Sequence, residues 1–383
     1  MLLVEDNIIQ KPEYLITKLS RVKLANLPTP LEEMSRLSNI LGGPRIWIKR
    51  DDSTGLAFGG SKVRALEYTL ADAISKGADT IITMGEIQSN HTRLTAAAAR
   101  KLGLKAELVI AADAEPRKYE GNLYLCRILG ADIRYATWSE HSALVEQTVR
   151  EVNEKGNIPY ILPFGGSSAI GIIAYINASI ELQAQAKDMG IEVGHIIHAS
   201  TSGGLQTGLT LGNKMMGTNT KVIGVGASRN SRKIVMEKYM QITADICRIL
   251  NIDLTWKAED LSLINYYSEE NDDTLTDQQR IMNAIMLVAQ TEGIVLDPEY
   301  TGKAMAVLID MVKEKHFKKK DNVVFIHTGG TPALFVQTGV RPYPIQDTVI
   351  RLYRKYGRQY RLVKWFRNIL PVSRLICIRE MTI

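Results

Sequence analysis

The sequence predicts an α/β protein built on open, twisted parallel sheets, and three observations carry that prediction. Apolar runs of strand length alternate with helix-length stretches, and Gly-rich connections follow the strands. The chain has 383 residues, 45% apolar and 23% charged, enough core for two domains or one elaborated one. Sheets of this kind bind ligands at the carboxyl ends of their strands, so the expected protein is a small-molecule enzyme.

Taken in order, residues 45–51 (RIWIKRD) read as a strand, TGLAFGGSK as a loop, and Val63 to Lys76 as a helix stopped by Gly77. DTIITMG (79–85) is a strand running into QSNH and a helix from about Thr92 to Leu102. AELVIAA and ADIRYAT are further strands with a helical segment between them. GHIIHAS (194–200) is a strand entering the loop TSGG, with a helix from Leu205, and NVVFIHTGG (322–330) is another ending in a Gly-Gly turn. After Phe335 the alternation gives way to Pro342, Pro344 and a basic aromatic segment, which sets a boundary near residue 340.

Charge is distributed unevenly. Lys+Arg total 47 against Asp+Glu 41, a net +6, but the segment from Arg341 to Ile383 alone carries +8, so the body is at −2. The body therefore lacks the basic balance of a nucleic-acid binder. Between Asp347 and Leu370 apolar residues recur at spacings of three and four among Arg and Lys, which predicts a basic amphipathic helix. That helix suits packing on the body or across a dimer, or contact with an anionic membrane surface or nucleic acid. Three scattered cysteines build no disulfide framework, the N-terminus lacks a signal-peptide pattern, and no run of 18 apolar residues occurs, so a cytoplasmic setting is expected.

Five places along the chain could carry chemistry. Lys62 follows two glycines at a helix start, where the helix dipole disfavours its protonated form, although a lysine after a turn is commonly a solvated surface residue. Ser89, Asn90 and His91 stand at the mouth of a helix, a position that suits a carboxylate and equally suits capping. Ser200-Thr201-Ser202-Gly203-Gly204 ahead of Leu205 forms a hydroxyl-rich, small-residue nest suited to a phosphate monoester. Tyr300 and Thr328 are the remaining candidates, each with packing or strand-end structure as the bland alternative. His195 and His198 would point to opposite strand faces, so no metal site is expected, and no GxSxG or HExxH motif argues for hydrolysis.

Together the blocks LPTPLEEMSRLSNILGGPRIWIKRDD, FGGSKVRALEY, GADTIITMGEIQSNHTRLTAAAARKLGL, PFGGSSAIG, LDPEYTGKAMAVLID and VVFIHTGGTPALF resemble the D-cysteine desulfhydrase and 1-aminocyclopropane-1-carboxylate deaminase family of pyridoxal-phosphate enzymes. The resemblance runs with gaps from about residue 27 to 335. It implies the tryptophan-synthase-β-like fold, type II of these enzymes: a larger cofactor-binding domain (1–65 and 175–340), a smaller α/β domain (66–174) and the tail (341–383). The cofactor would be pyridoxal 5'-phosphate, the substrate a small amino acid and the assembly a homodimer. By the resemblance Lys62 would hold the cofactor covalently and remove the α-proton. Asn90 would face the cofactor's ring hydroxyl, Ser202, Gly203, Gly204 and Leu205 would cradle its phosphate, and Thr328 would be the neutral hydroxyl partner of the pyridine nitrogen. Ser89, with Asn90, His91, Gly165 and Thr301, would contact substrate, and Tyr300 would lie over the reacting carbons.

Two positions separate the family's branches. Ring-opening deaminases have Glu after the tyrosine and Leu in the HLGG string, where this chain has Thr301 and Thr328. The resemblance therefore favours α,β-elimination, with D-cysteine giving pyruvate, hydrosulfide and ammonium. Deamination of aminocyclopropane carboxylate, a divergent β-elimination or β-replacement, and a non-catalytic scaffold using the basic tail are the alternatives. Three departures mark the chain as divergent: Ser61 for Asn in GGNK, Ser168 for Asn, and Ala65 for the family's second lysine, which supports the phosphate. Loss of that lysine implies either a lower affinity for the cofactor or compensation by Arg64.

Overall fold

Strands that are apolar on both faces need cover on both sides, and this requirement shapes the molecule. The structure, a computed structural model, describes residues 12–227, 231–266 and 275–336. Within these the strands are β1 (Leu31–Glu33), β2 (Arg45–Lys49), β3 (Thr80–Glu86), β4 (Lys105–Ala111), β5 (Asp132–Ala136), β6 (Pro159–Leu162), β7 (His195–Ser200), β8 (Lys221–Gly226), β9 (Ser262–Asn265) and β10 (Asn322–Ile326). The helices are α1 (Pro12–Thr17), α2 (Ser35–Leu41), α3 (Lys62–Ser75), α4 (Asn90–Lys101), α5 (Gly121–Ile128), α6 (His141–Glu154), α7 (Ala169–Asp188), α8 (Gly204–Met215), α9 (Ser231–Leu250), α10 (Leu275–Glu292) and α11 (Thr301–Lys313).

Two sheets result. One has six strands in the order β1-β2-β10-β7-β8-β9, parallel throughout except for the edge strand β1, which pairs antiparallel with β2. The other has four parallel strands in the order β5-β4-β3-β6. Side-chain alternation splits the six-stranded sheet between two cores. Ile196 and Val324 pack with residues of α7, α8 and α9, while their neighbours Ile197, Val323 and Phe325 pack with α2, α10 and α11. In the four-stranded sheet Ile81 and Leu108 face α3, α4 and α5, and Ile82 and Val109 face α6.

Three helices begin one or two residues earlier than the apolar periodicity suggests, at Lys62, Asn90 and Gly204. Each start is polar or lacks a side chain, so hydrophobic patterning cannot mark it. The tail, the boundary near residue 340 and the expected helix 347–370 lie outside the described residues. Among the described residues no helix is long and apolar enough to cross a membrane.

Candidate active site

The loop from β2 to α3 places Lys62. Gly60 and Gly329 meet backbone to backbone: a Cβ on Gly329 would sit 2.7 Å from Gly60 Cα, so neither tolerates a side chain. Ser61 N–H donates to Thr328 O at 3.0 Å, tying this loop to the end of β10. Two residues into the helix, Arg64 is 1% exposed. Its guanidinium donates to Asp51 (Nη2 to Oδ1, 2.8 Å; Nε to Oδ2, 2.9 Å) and to Glu181 of α7 (Nη1 to Oε2, 2.9 Å). Positions two apart on a helix point to nearly opposite sides, so pinning Arg64 inward turns Lys62 toward the space between the sheets. Arg64 is thereby committed, and the expected compensation for Ala65 does not occur through it; Ala65 itself is packed in the apolar core.

Lys62 Nζ lies 3.5 Å from Ser202 Oγ and 5.9 Å from the centroid of the Tyr175 ring. Desolvation first, and then the charge of Lys238 in α9, pull its pKa down to about 8. The amine is therefore partly neutral near physiological pH, as a nucleophile or base must be.

Ser89 is the N-cap of α4, its hydroxyl accepting from Thr92 N–H at 3.3 Å. Asn90 Oδ1 accepts from Arg93 Nη2 at 3.2 Å and Asn122 Nδ2 at 3.1 Å. Its carbonyl is thus saturated, and its amide N–H groups are the ones left for a ligand. Thr83 spends its hydroxyl proton on Leu162 O at 3.1 Å, so it accepts from His91 Nε2 at 2.9 Å, and His91 Nδ1 is left as a buried acceptor without a partner. Burial, then the charges of Lys62 and Lys238, lower the His91 pKa to about 3, and the ring stays neutral.

At the end of β7, Gly203 takes a left-handed conformation (φ +83°) and caps α8; no side chain caps this helix and its first turn holds no acid. Ser202 Oγ accepts from Ser167 Oγ at 2.9 Å, while the buried hydroxyls of Ser200 and Thr201 have no hydrogen-bond partner. Tyr300 precedes α11, and its phenol is held well above the usual range by burial and by the charges of Glu86, Glu299 and Asp297, so it remains a proton donor.

These segments line one cleft of about 660 Å³, open to solvent: Lys62, Ser89, Asn90, His91, Gly165, Ser202, Gly203, Leu205, Tyr300 and Thr328 all reach it. Ser61, Phe164, Ala199, Ser200 and Thr201 complete the wall, which includes no acidic side chain among the described residues. Two expected residues stand behind the wall. Gly204 faces Ser167, where a Cβ would meet Oγ at 2.8 Å, although this says nothing against its N–H. Thr301, expected against substrate, is fully buried, its hydroxyl donating to Asp297 Oδ2 at 2.5 Å. The reason is the turn ahead of α11: Asp297 also accepts from the N–H groups of Glu299, Tyr300 and Thr301, and Thr301 serves that turn. Phe164 carried no sequence signal, since an aromatic after a proline reads as packing.

The donor set fits pyridoxal phosphate. A lowered lysine, an amide donor, unpartnered hydroxyls and an uncapped helix start surround a cleft without acids, as an aromatic phosphate ester with an aldehyde would require. A model of the family described as pyridoxal-phosphate dependent enzyme matches residues 22–329. The chain belongs to this family. Two D-cysteine desulfhydrases of Klebsiella pneumoniae are similar to it, one 39% identical over 330 residues and one 40% over 326, each match covering 84% of this chain and 97% of the relative. A crystal structure described as that of an ACC deaminase homologue matches with a TM-score of 0.76 at 32% identity, over 90% of this chain and 99% of that one. The processed form of threonine deaminase isoform 2 from Solanum lycopersicum shares the fold at a TM-score of 0.59 and 18% identity, over 92% of this chain and 90% of that one. The cofactor of this pyridoxal-phosphate dependent enzyme is thus pyridoxal phosphate, and its fold is the type II fold.

Proposed function

We propose that the chain is a lyase that eliminates the β-substituent of a small amino acid, D-cysteine foremost, releasing hydrosulfide, pyruvate and ammonium. The observation that carries this reading is the match to D-cysteine desulfhydrases over 97% of their length, together with a lysine of lowered pKa in the cleft. Bound pyridoxal phosphate supplies the electron sink for the carbanion at Cα. Lys62 takes the α-proton on its neutral amine. Ser89 and the N–H groups at the head of α4 hold the carboxylate, and Asn90 donates its amide N–H to the cofactor's ring oxygen. Tyr300, kept protonated, donates a hydrogen bond to the departing sulfur, and the thiol leaves as hydrosulfide with the electron pair of the C–S bond. Thr328 offers a neutral hydroxyl to the ring nitrogen, and the head of α8 receives the phosphate.

We propose domain spans of 1–65 with 175–340, and of 66–174; the division of the described strands between two sheets supports this reading. A cytoplasmic homodimer is supported by free Cys126 and Cys247 and by the exposed side chains of Phe58 and Phe335. Deamination of aminocyclopropane carboxylate is the second reading, motivated by the ACC deaminase homologue. The test is release of 2-oxo acid and sulfide from D-cysteine, L-cysteine and aminocyclopropane carboxylate, with Lys62→Ala as control. Pyruvate and sulfide from D-cysteine, abolished in Lys62→Ala, are expected; 2-oxobutyrate from the cyclopropane alone would transfer the chain to the second reading.

A further inference from the structure

Lys238 lies outside every role assigned above, yet its charge reaches the cleft. It sits on α9, whose Val235 packs directly on the loop at the head of α8: a Cβ on Gly203 would lie 3.2 Å from Val235 Cα. Positions three apart on a helix share a face, so Lys238 is one turn further along the side that abuts this loop. It is half-buried and desolvated, which lowers its pKa, and its charge in turn lowers those of Lys62 and His91. No hydrogen bond or ion pair holds it among the described residues, and the cleft wall offers no acid.

A desolvated cation without a counter-ion is costly unless a ligand supplies the anion. Lys62 cannot be that ligand's counter-charge while its amine serves as nucleophile and base. Arg64 is bound to Asp51 and Glu181, and position 65 is a buried alanine. We infer that Lys238 is the cation that binds the phosphate group of pyridoxal phosphate, reaching it from α9 while the N–H groups at the head of α8 hold it from the other side. The inference rests on the cofactor assignment and adds a residue to it: in this chain the second positive charge comes from a helix distant in sequence from the lysine loop. Lys238 acts on cofactor binding and touches no reacting carbon.

The test compares two probes on the full chain stripped of cofactor: pyridoxal 5'-phosphate, and pyridoxal, which lacks the phosphate. Lys238→Met, measured by absorbance titration, weakens binding of the phosphate ester on the order of 10- to 100-fold more than that of pyridoxal, which feels only the upward shift of the Lys62 amine. Lys238→Arg, which keeps the charge, retains most of the affinity. An unchanged affinity for the phosphate ester, or an equal loss for both probes, overturns the inference while leaving the cofactor assignment standing. A wild-type chain that takes up neither probe overturns both. If the methionine variant does not fold, Lys238→Gln carries the same comparison.

Discussion

The lowered pKa of Lys62 can be measured directly on the cofactor-free chain. At pH 7 an amine with a pKa of about 8 is neutral in roughly one molecule in ten, against about one in 3,000 for a lysine at its ordinary value of 10.5. The structure thus assigns Lys62 an advantage on the order of 300-fold in reactive amine at neutral pH. The cause is chiefly burial at the cleft wall, with Lys238 adding like-charge repulsion. Competitive labelling with acetic anhydride between pH 6 and 10, read by peptide mass spectrometry against Nα-acetyl-lysine, gives the midpoint for this one side chain. It should lie near 8, and Lys238→Met should move it upward. A midpoint at the ordinary value would refute the desolvation argument, and one that ignores Lys238→Met would refute the coupling.

Three further outcomes are expected. Arg64→Met leaves buried Asp51 without its cation and Glu181 with Lys49 alone, and should cost about 3–5 kcal/mol, seen as a lowered urea midpoint with an unchanged slope. His91 has a folded pKa of about 3, below the 6.5 of the unfolded chain, so unfolding takes up a proton between these values. Stability present above pH 6.5 is therefore lost as pH falls toward 3, and His91→Gln should flatten this part of the acid limb in urea melts at pH 7 and 5. Gly208 brings α8 against α7, where a Cβ would fall 2.4 Å from Tyr175 Cβ. Gly208→Ala should cost about 1–3 kcal/mol and, by tilting the helix that follows Ser202 and Gly203, loosen cofactor retention in equilibrium dialysis.

Four of the five chemistry-bearing segments are legible one by one, because each follows a strand's carboxyl end and contains residues that a bland turn would not need, whereas Tyr300 follows helix α10. In the six-stranded sheet β2, β10 and β7 are neighbours, so strand order brings the loops at 62, 328 and 202 together, and the four-stranded sheet contributes the loop at 89 to the same cleft. His91 illustrates the limit of this reading. Its sequence position groups it with Ser89 and Asn90 as ligand-facing, and it does reach the cleft, but its Nε2 is spent on Thr83 of β3. That pairing is set by how α4 lies on the sheet, which local sequence does not encode. Thr301 shows the same limit, since its place beside Tyr300 points to the substrate while its hydroxyl closes a turn around Asp297.

The sequence by itself determined the α/β alternation and the glycine loops, because these depend on residue type and short-range spacing, while its family resemblance singled out Lys62. Only the tertiary structure decided what Arg64 does, which groups of Asn90 and His91 remain free, and that the helix carrying Lys238 packs on the loop ahead of α8. Those outcomes depend on desolvation and on partners far away in the chain, and both exist only once the two sheets and their helices have packed.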